Sequence, residues 1–131
     1  MTKQVLQPDN IWNPGPHLFS QAVMVSAAGR LLYLAGQTSI DADGAIVGVD
    51  DVETQIRTSF DNIGKLLSAA GGSLADVVKL TAYFTDMGAL DTYTRVLGEV
   101  FPTSRPAQTV VQVVRLAMPE LLVELDATAV L

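Results

Sequence analysis

From Leu121 to Leu131 the side chains alternate almost without a break. Leu121, Val123, Leu125, Ala127, Ala129 and Leu131 fall on one side, while Glu124, Asp126 and Thr128 share the other with Leu122 and Val130. A period of two is the signature of a strand with one face in a core. Val77 to Thr85 repeats the pattern, with Val78, Leu80, Ala82 and Phe84 set against Lys79, Thr81, Tyr83 and Thr85. Two such strands commit the chain to a sheet whose apolar face must be covered.

The cover is helical. Val52, Ile56, Phe60, Ile63 and Leu67 recur at spacings of four, four, three and four, which places them on one helical stripe. Asp50, with Glu53 three residues on, reads as the N-cap of a capping box, and Gly71-Gly72 end the helix. Asp86 is expected to cap a second helix with Leu90, Tyr93, Leu97, Val100 and Phe101 on its buried face, closed by Pro102 and Pro106.

Residues 1–19, rich in proline and asparagine, are expected to form an extended arm. Ala22–Ala27 and Leu31–Ala35, separated by Ala28-Gly29-Arg30, read as a β-hairpin, and Asp41-Ala42-Asp43-Gly44 as a turn. Strands over Ala107–Leu116 and Leu121–Leu131 finish the chain. The order hairpin, helix, strand, helix, strand, strand predicts an α+β domain with two helices on one sheet face. The opposite face is expected to carry Lys79, Thr81, Tyr83, Gln108, Val110, Gln112, Glu124, Asp126 and Thr128.

Composition narrows what covers that second face. The chain has 131 residues, a single-domain length, with 49% hydrophobic and only 17% charged residues. An average soluble protein is roughly 25% charged, so an oligomer is expected. The net charge is −6, with eight scattered Lys and Arg against fourteen Asp and Glu. Nucleic-acid binding needs clustered cations and is not expected. There are no cysteines, which excludes disulfides, thiolate metal sites and Cys nucleophiles. No apolar run approaches the roughly 20 residues of a membrane span, and the segment MTKQVLQPDN lacks the apolar stretch of a signal peptide. A cytoplasmic protein with no membrane partner is the expectation. His17 is the only histidine, so no Ser-His-Asp or metal constellation is expected around it. It reads as a surface residue, and Trp12 either as a cap on a neighbour's pocket or as a pin for the arm.

Several strings, in order, resemble one family. They are Phe19-Ser20-Gln21-Ala22-Val23, Ala35-Gly36-Gln37, Gly71 followed by Ala75-Asp76-Val77-Val78-Lys79, Arg105-Pro106-Ala107-Gln108-Thr109, Val113-Val114-Arg115-Leu116 and Val123-Glu124-Leu125-Asp126-Ala127. The set resembles the reactive-intermediate deaminase (RidA/YjgF) family, also known as endoribonuclease L-PSP or translation inhibitor, from about residue 15 to 131. The resemblance implies one domain over 1–131 with a chorismate-mutase-like fold: a mixed six-stranded sheet, two helices on one face, and a homotrimer whose sheets form a barrel. It also implies a small-molecule cleft at each subunit boundary, with no metal or organic cofactor. Archetypal members hydrolyse enamines and imines derived from amino acids to ammonia and a 2-oxo acid.

At the site the chain departs from that pattern. The family's carboxylate-clamping Arg falls at Gln108, which has no charge and no guanidinium fork. Losing such a buried charged partner costs about 2–5 kcal/mol. Its Tyr is Phe19 and its Ser is Ala35, whereas its carboxylate is retained as Glu124. The implied cleft is Phe19, Ala35, Gly36, Gln108 and Val110, with Glu124 as candidate general base. Gly36 marks either a positive φ or a close approach. Arg105, three residues before Gln108, is expected to aim away from it. The expected function is therefore small-metabolite binding with archetypal 2-imino acid deaminase activity weak or absent. Two other readings stand beside it: a deaminase whose substrate lacks the carboxylate or binds it elsewhere, and a non-catalytic trimeric interaction module.

Overall fold

The computed structural model describes residues 2–10, 13, 19–20, 22–26 and 29–131. Trp12 and His17, and the expectations attached to them, lie outside these residues. Among the described residues six strands and two α-helices follow in the order β1 (Thr2–Leu6), β2 (Ala22–Ser26), β3 (Leu31–Tyr33), α1 (Val52–Ala69), β4 (Val77–Phe84), α2 (Leu90–Val100), β5 (Ala107–Gln112) and β6 (Val123–Val130). The strands divide into a four-stranded sheet ordered β3-β6-β4-β5 and a two-stranded sheet of β1 and β2. Only β4 and β5 run parallel; the other pairs are antiparallel, so the main sheet is mixed.

The expected hairpin of residues 22–35 is not formed. β2 pairs with β1, from Thr2 opposite Ser26 to Leu6 opposite Ala22, and β3 pairs with β6. The arm therefore contains a strand, Thr2–Leu6. Its Thr-Lys-Gln start has no apolar alternation, so nothing local marked it as a strand. β5 and β6 are shorter than expected, ending at Gln112 and beginning at Val123.

The helix α1 begins one residue later than its sequence suggests. Asp51 is the N-cap: its carboxylate accepts from the Thr54 amide at 3.1 Å and the Thr54 hydroxyl at 2.7 Å. Asp50 instead takes a left-handed φ of 62° in the turn before it. Glu53 is thereby free to leave the cap, and it binds Arg57 and Arg95. The C-terminus is a Schellman motif: the Gly72 amide reaches Leu67 O at 2.8 Å and the Gly71 amide reaches Ser68 O at 3.0 Å. Gly71 has φ +84°, which a side chain would strain.

The expected α1 stripe is the core. Ile56, Phe60, Ile63 and Leu67 are buried against Leu80, Ala82, Phe84, Val123, Leu125, Ala127 and Ala129 of the sheet. Asp86 caps a short 3₁₀ turn, Met87–Ala89, that leads into α2. On α2, Tyr93, Val96 and Leu97 are buried, whereas Leu90 is 40% exposed and does not join the core as expected. The Tyr93 ring stands edge-on to Phe84 at 5.2 Å and parallel to Phe60 at 6.3 Å, and Phe101 meets Phe60 edge-on at 5.8 Å. These contacts weld both helices to β4. A register shift between Val77 and Lys79 puts Val77, not Val78, in the core at the start of β4.

Candidate functional site

The sheet face turned away from the helices carries Lys79, Thr81 and Tyr83 of β4 opposite Thr128, Asp126 and Glu124 of β6. Because Val123 and Leu125 are buried on the helix side, Glu124 must project from the open one. It is half-buried there. Lys79 leans along the sheet to donate to the Thr109 hydroxyl of β5 at 2.9 Å. Tyr33, opposite Thr128 at the β3 edge, is 75% exposed.

Gly36 meets Glu124 directly. Beyond β3 the chain returns to β6 through a reciprocal backbone bridge: the Gln37 amide reaches Leu125 O at 2.7 Å, and the Leu125 amide reaches Gln37 O at 2.9 Å. That bridge sets Gly36 beside the neighbouring carboxylate. A Cβ on Gly36 would fall 2.6 Å from Glu124 Oε2 and 2.8 Å from Cδ. Of the two reasons for a glycine here, close approach is the one that applies. Ala35 is exposed just before it, and its carbonyl accepts from the Gln37 amide side chain at 3.1 Å.

Gln108 and Val110 lie on the other face. In the parallel pairing, Gln108 stands beside Leu80 and Val110 beside Ala82, both core residues. The Tyr93 hydroxyl donates to Gln108 Oε1 at 3.0 Å, and Val110 packs against the core cluster. Gln112 follows the same parity and accepts from the Met87 amide at 2.9 Å. The expectation that these three share the open face is therefore corrected; Ala107, Thr109 and Val111 hold those positions on β5. Burial of the Tyr93 ring pushes its phenol well above the usual tyrosine range, so it remains a hydrogen-bond donor.

Phe19 comes to the Gln108 end of the sheet. Its neighbour Ser20 bridges Ala107: the Ser20 amide reaches Pro106 O at 3.1 Å and its hydroxyl reaches Arg105 O at 2.8 Å. Arg105 lines a cavity with Lys3, Val5 and Val23. Within one chain, then, the structure brings Ala35, Gly36 and Glu124 together on the open face. It brings Phe19, Gln108 and Val110 toward the β5 edge. It does not join the two sets. The Tyr93–Gln108 bond has no signal in sequence, because it depends on the parity of a parallel pairing.

An α+β domain with helices on one side and a carboxylate on the bare side is thus the class the geometry defines. A family model described as endoribonuclease L-PSP matches residues 14–131, so the chain belongs to that family, the RidA/YjgF/RutC group. It is 38% identical over 128 residues to a RutC family protein of Pyrococcus horikoshii, covering 97% of each chain. It is 32% identical over 129 residues to the 3-aminoacrylate deaminase RutC of Acinetobacter baylyi, covering 98% of each. The crystal structure of YyfB, a conserved Rid family protein of Yersinia pestis, superposes with a TM-score of 0.91 at 34% identity, covering 100% of both chains.

Proposed function

We propose that the protein is a homotrimer that binds a small metabolite in clefts between subunits, and that its archetypal 2-imino acid deaminase activity is weak or absent. The observation that carries this reading is the commitment of Gln108. Its carbonyl oxygen is held by a buried phenol, on the sheet face opposite Glu124. Its amide nitrogen, a neutral donor, is left to meet a ligand, and its oxygen keeps one lone pair beyond the phenol. Gln108 itself brings no charge to replace the family's clamp.

The subunit boundary enters for a geometric reason. A cleft containing both Glu124 and Gln108 cannot be assembled through the body of one sheet. A second copy that lays its β5 edge against the open face joins the two sets, and it covers Tyr33 as well.

For an imine the chemistry is short. Glu124 takes a proton from water as the oxygen adds to the C=N carbon and returns it to the nitrogen; it then carries the new hydroxyl's proton to the same nitrogen. The C–N bond of the resulting carbinolamine then breaks, leaving a carbonyl and ammonia. Gly36 lets the carboxylate lie close against the backbone, and the Gln108 amide nitrogen supplies a donor to an uncharged acceptor on the substrate. That last contact favours the second reading, a deaminase acting on an enamine or imine without an α-carboxylate.

The test is ammonia release from 2-iminopropanoate generated in situ, with an Arg-bearing relative assayed alongside. Slow turnover, abolished by Glu124→Gln and raised by Gln108→Arg, is the expected result. Turnover of the unaltered protein at the relative's rate overturns the reading. Sedimentation velocity decides the trimer separately.

A further inference from the structure

We propose that the cavity between the β1–β2 ribbon and the segment before β5 binds a small aliphatic carboxylate, at a site separate from Glu124. The cavity has a volume of about 260 Å³ and is lined by Lys3, Val5, Val23, Val77, Thr103, Ser104 and Arg105. Its composition is unusual for this chain. Two of only eight cations converge there in a protein of net charge −6, and no carboxylate lines it among the described residues. The chain's other paired cations are accounted for: Arg57 and Arg95 bind Glu53 and Glu99 between the helices. Among the described residues neither Lys3 nor Arg105 has an acidic partner.

The Lys3 ammonium is also held in place rather than free in solvent. It donates to Ala75 O and to the Ser104 hydroxyl, the latter at 2.9 Å, and that hydroxyl donates in turn to Ala75 O at 2.9 Å. Two of its three protons are thereby used, and one is left to face an anion. Arg105 is fixed from behind by the Ser20 hydroxyl on its carbonyl. Its guanidinium offers the planar fork that suits a carboxylate. Three valines and Thr103 form the rest of the wall, so the occupant pairs an oxyanion with a short branched or linear alkyl chain. The cavity lies at the Val77 end of β4, whereas Glu124 stands opposite Tyr83, six residues along the strand. At roughly 3.3 Å per residue the two sites are about 20 Å apart on one chain.

The experiment is an amide chemical-shift titration of the full chain with 3-methylbutanoate, and with inorganic phosphate as a second arm. Saturable shifts confined to β1, β2 and residues 103–106 are expected, weakened about tenfold or more in Arg105→Gln and in Lys3→Met. Both variants report their own folding in the same spectra. Glu124→Gln should leave the titration unchanged, which separates this site from the proposed deaminase chemistry. The proposal is overturned if no saturable shift occurs, if the shifts centre on Gly36 and Glu124, or if Arg105→Gln binds as tightly as the unaltered chain. Equal affinity for phosphate overturns the assignment to an alkyl carboxylate.

Discussion

The Tyr93 hydroxyl and the Gln108 carbonyl form a 3.0 Å hydrogen bond between α2 and β5, and Tyr93 is fully buried. A side chain that the family resemblance assigns to ligand recognition is here also a structural acceptor. Gln108→Leu leaves the phenol unpaired in the core and should cost about 1–3 kcal/mol of stability. Adding Tyr93→Phe should return part of that loss. Urea unfolding of the two single variants and the double variant gives the coupling. Additive effects would mean that the bond contributes nothing.

Gln108→Arg carries the same cost for a related reason. A guanidinium has no acceptor for the Tyr93 proton. The variant should therefore unfold at lower urea than the parent even as its turnover of 2-iminopropanoate rises. Equal stability with unchanged turnover would argue against both roles of the position.

Gly36→Ala tests the contact with Glu124. Its Cβ would overlap Oε2, so the carboxylate must move by about an ångström, a displacement that costs on the order of 10²-fold in rate. The backbone at Gly36 needs no positive φ, so the thermal midpoint should stay near that of the parent. A variant with full activity would remove Glu124 from the mechanism.

Gln55 is a buried polar residue whose amide is fully used. It donates to Gly48 O at 3.0 Å and Glu120 O at 2.9 Å, and accepts from the Leu122 amide at 2.8 Å. Gln55→Leu strands three backbone groups and should destabilise by about 1–3 kcal/mol or more. Hydrogen exchange at Leu122 should quicken markedly; unchanged protection there would show that the amide is not the clasp.

The pH dependence follows from the helix-to-helix ion network. Hydrogen bonds from Arg95 and then Arg57 hold Glu53 below its ordinary 4.5, and Arg57 does the same for Glu99. A carboxylate with a lowered folded-state pKa stabilises the fold above its unfolded value, and the contribution fades as pH falls through the folded one. Thermal midpoints should thus be flat near neutrality and begin to drop below about pH 4.5. Glu53→Gln should flatten part of that drop, and added salt should shrink the effect because the groups are exposed. A profile identical in Glu53→Gln would exclude the network as its source.

The period-based features were legible in sequence: the α1 stripe, the alternation of β6, the Gly71-Gly72 stop, and the Asp41 turn, in which Asp41 Oδ1 accepts from the Asp43 and Ala45 amides at 2.9 Å each. Features set by non-local pairing were not. The partner of β2 lies far upstream in a polar segment. The face of Gln108 follows from its parallel register with Leu80, and the bulge near Val78 shifts parity at the start of β4. Adjacent aspartates made the cap ambiguous by one residue, and the Asp51 bonds to Thr54, with Asp50 left-handed before it, settle it. The open-face position of Glu124 was readable by alternation, whereas its close contact with Gly36 was not. Nor was the separation of Gln108 from Glu124, because one strand's pattern does not say which neighbour it lies beside.

β5 lies at the margin of the main sheet, and among the described residues only Ser20 bridges its outer side, at Ala107. From Thr109 to Gln112 that margin is a row of peptide donors and acceptors, a template for any passing extended segment. If a neighbour's rotation closes, such docking ends in a small ring; if it does not, the same geometry propagates as a filament. This rim is therefore where self-association would start, and a lysine placed at the exposed Val111 is where to defend it.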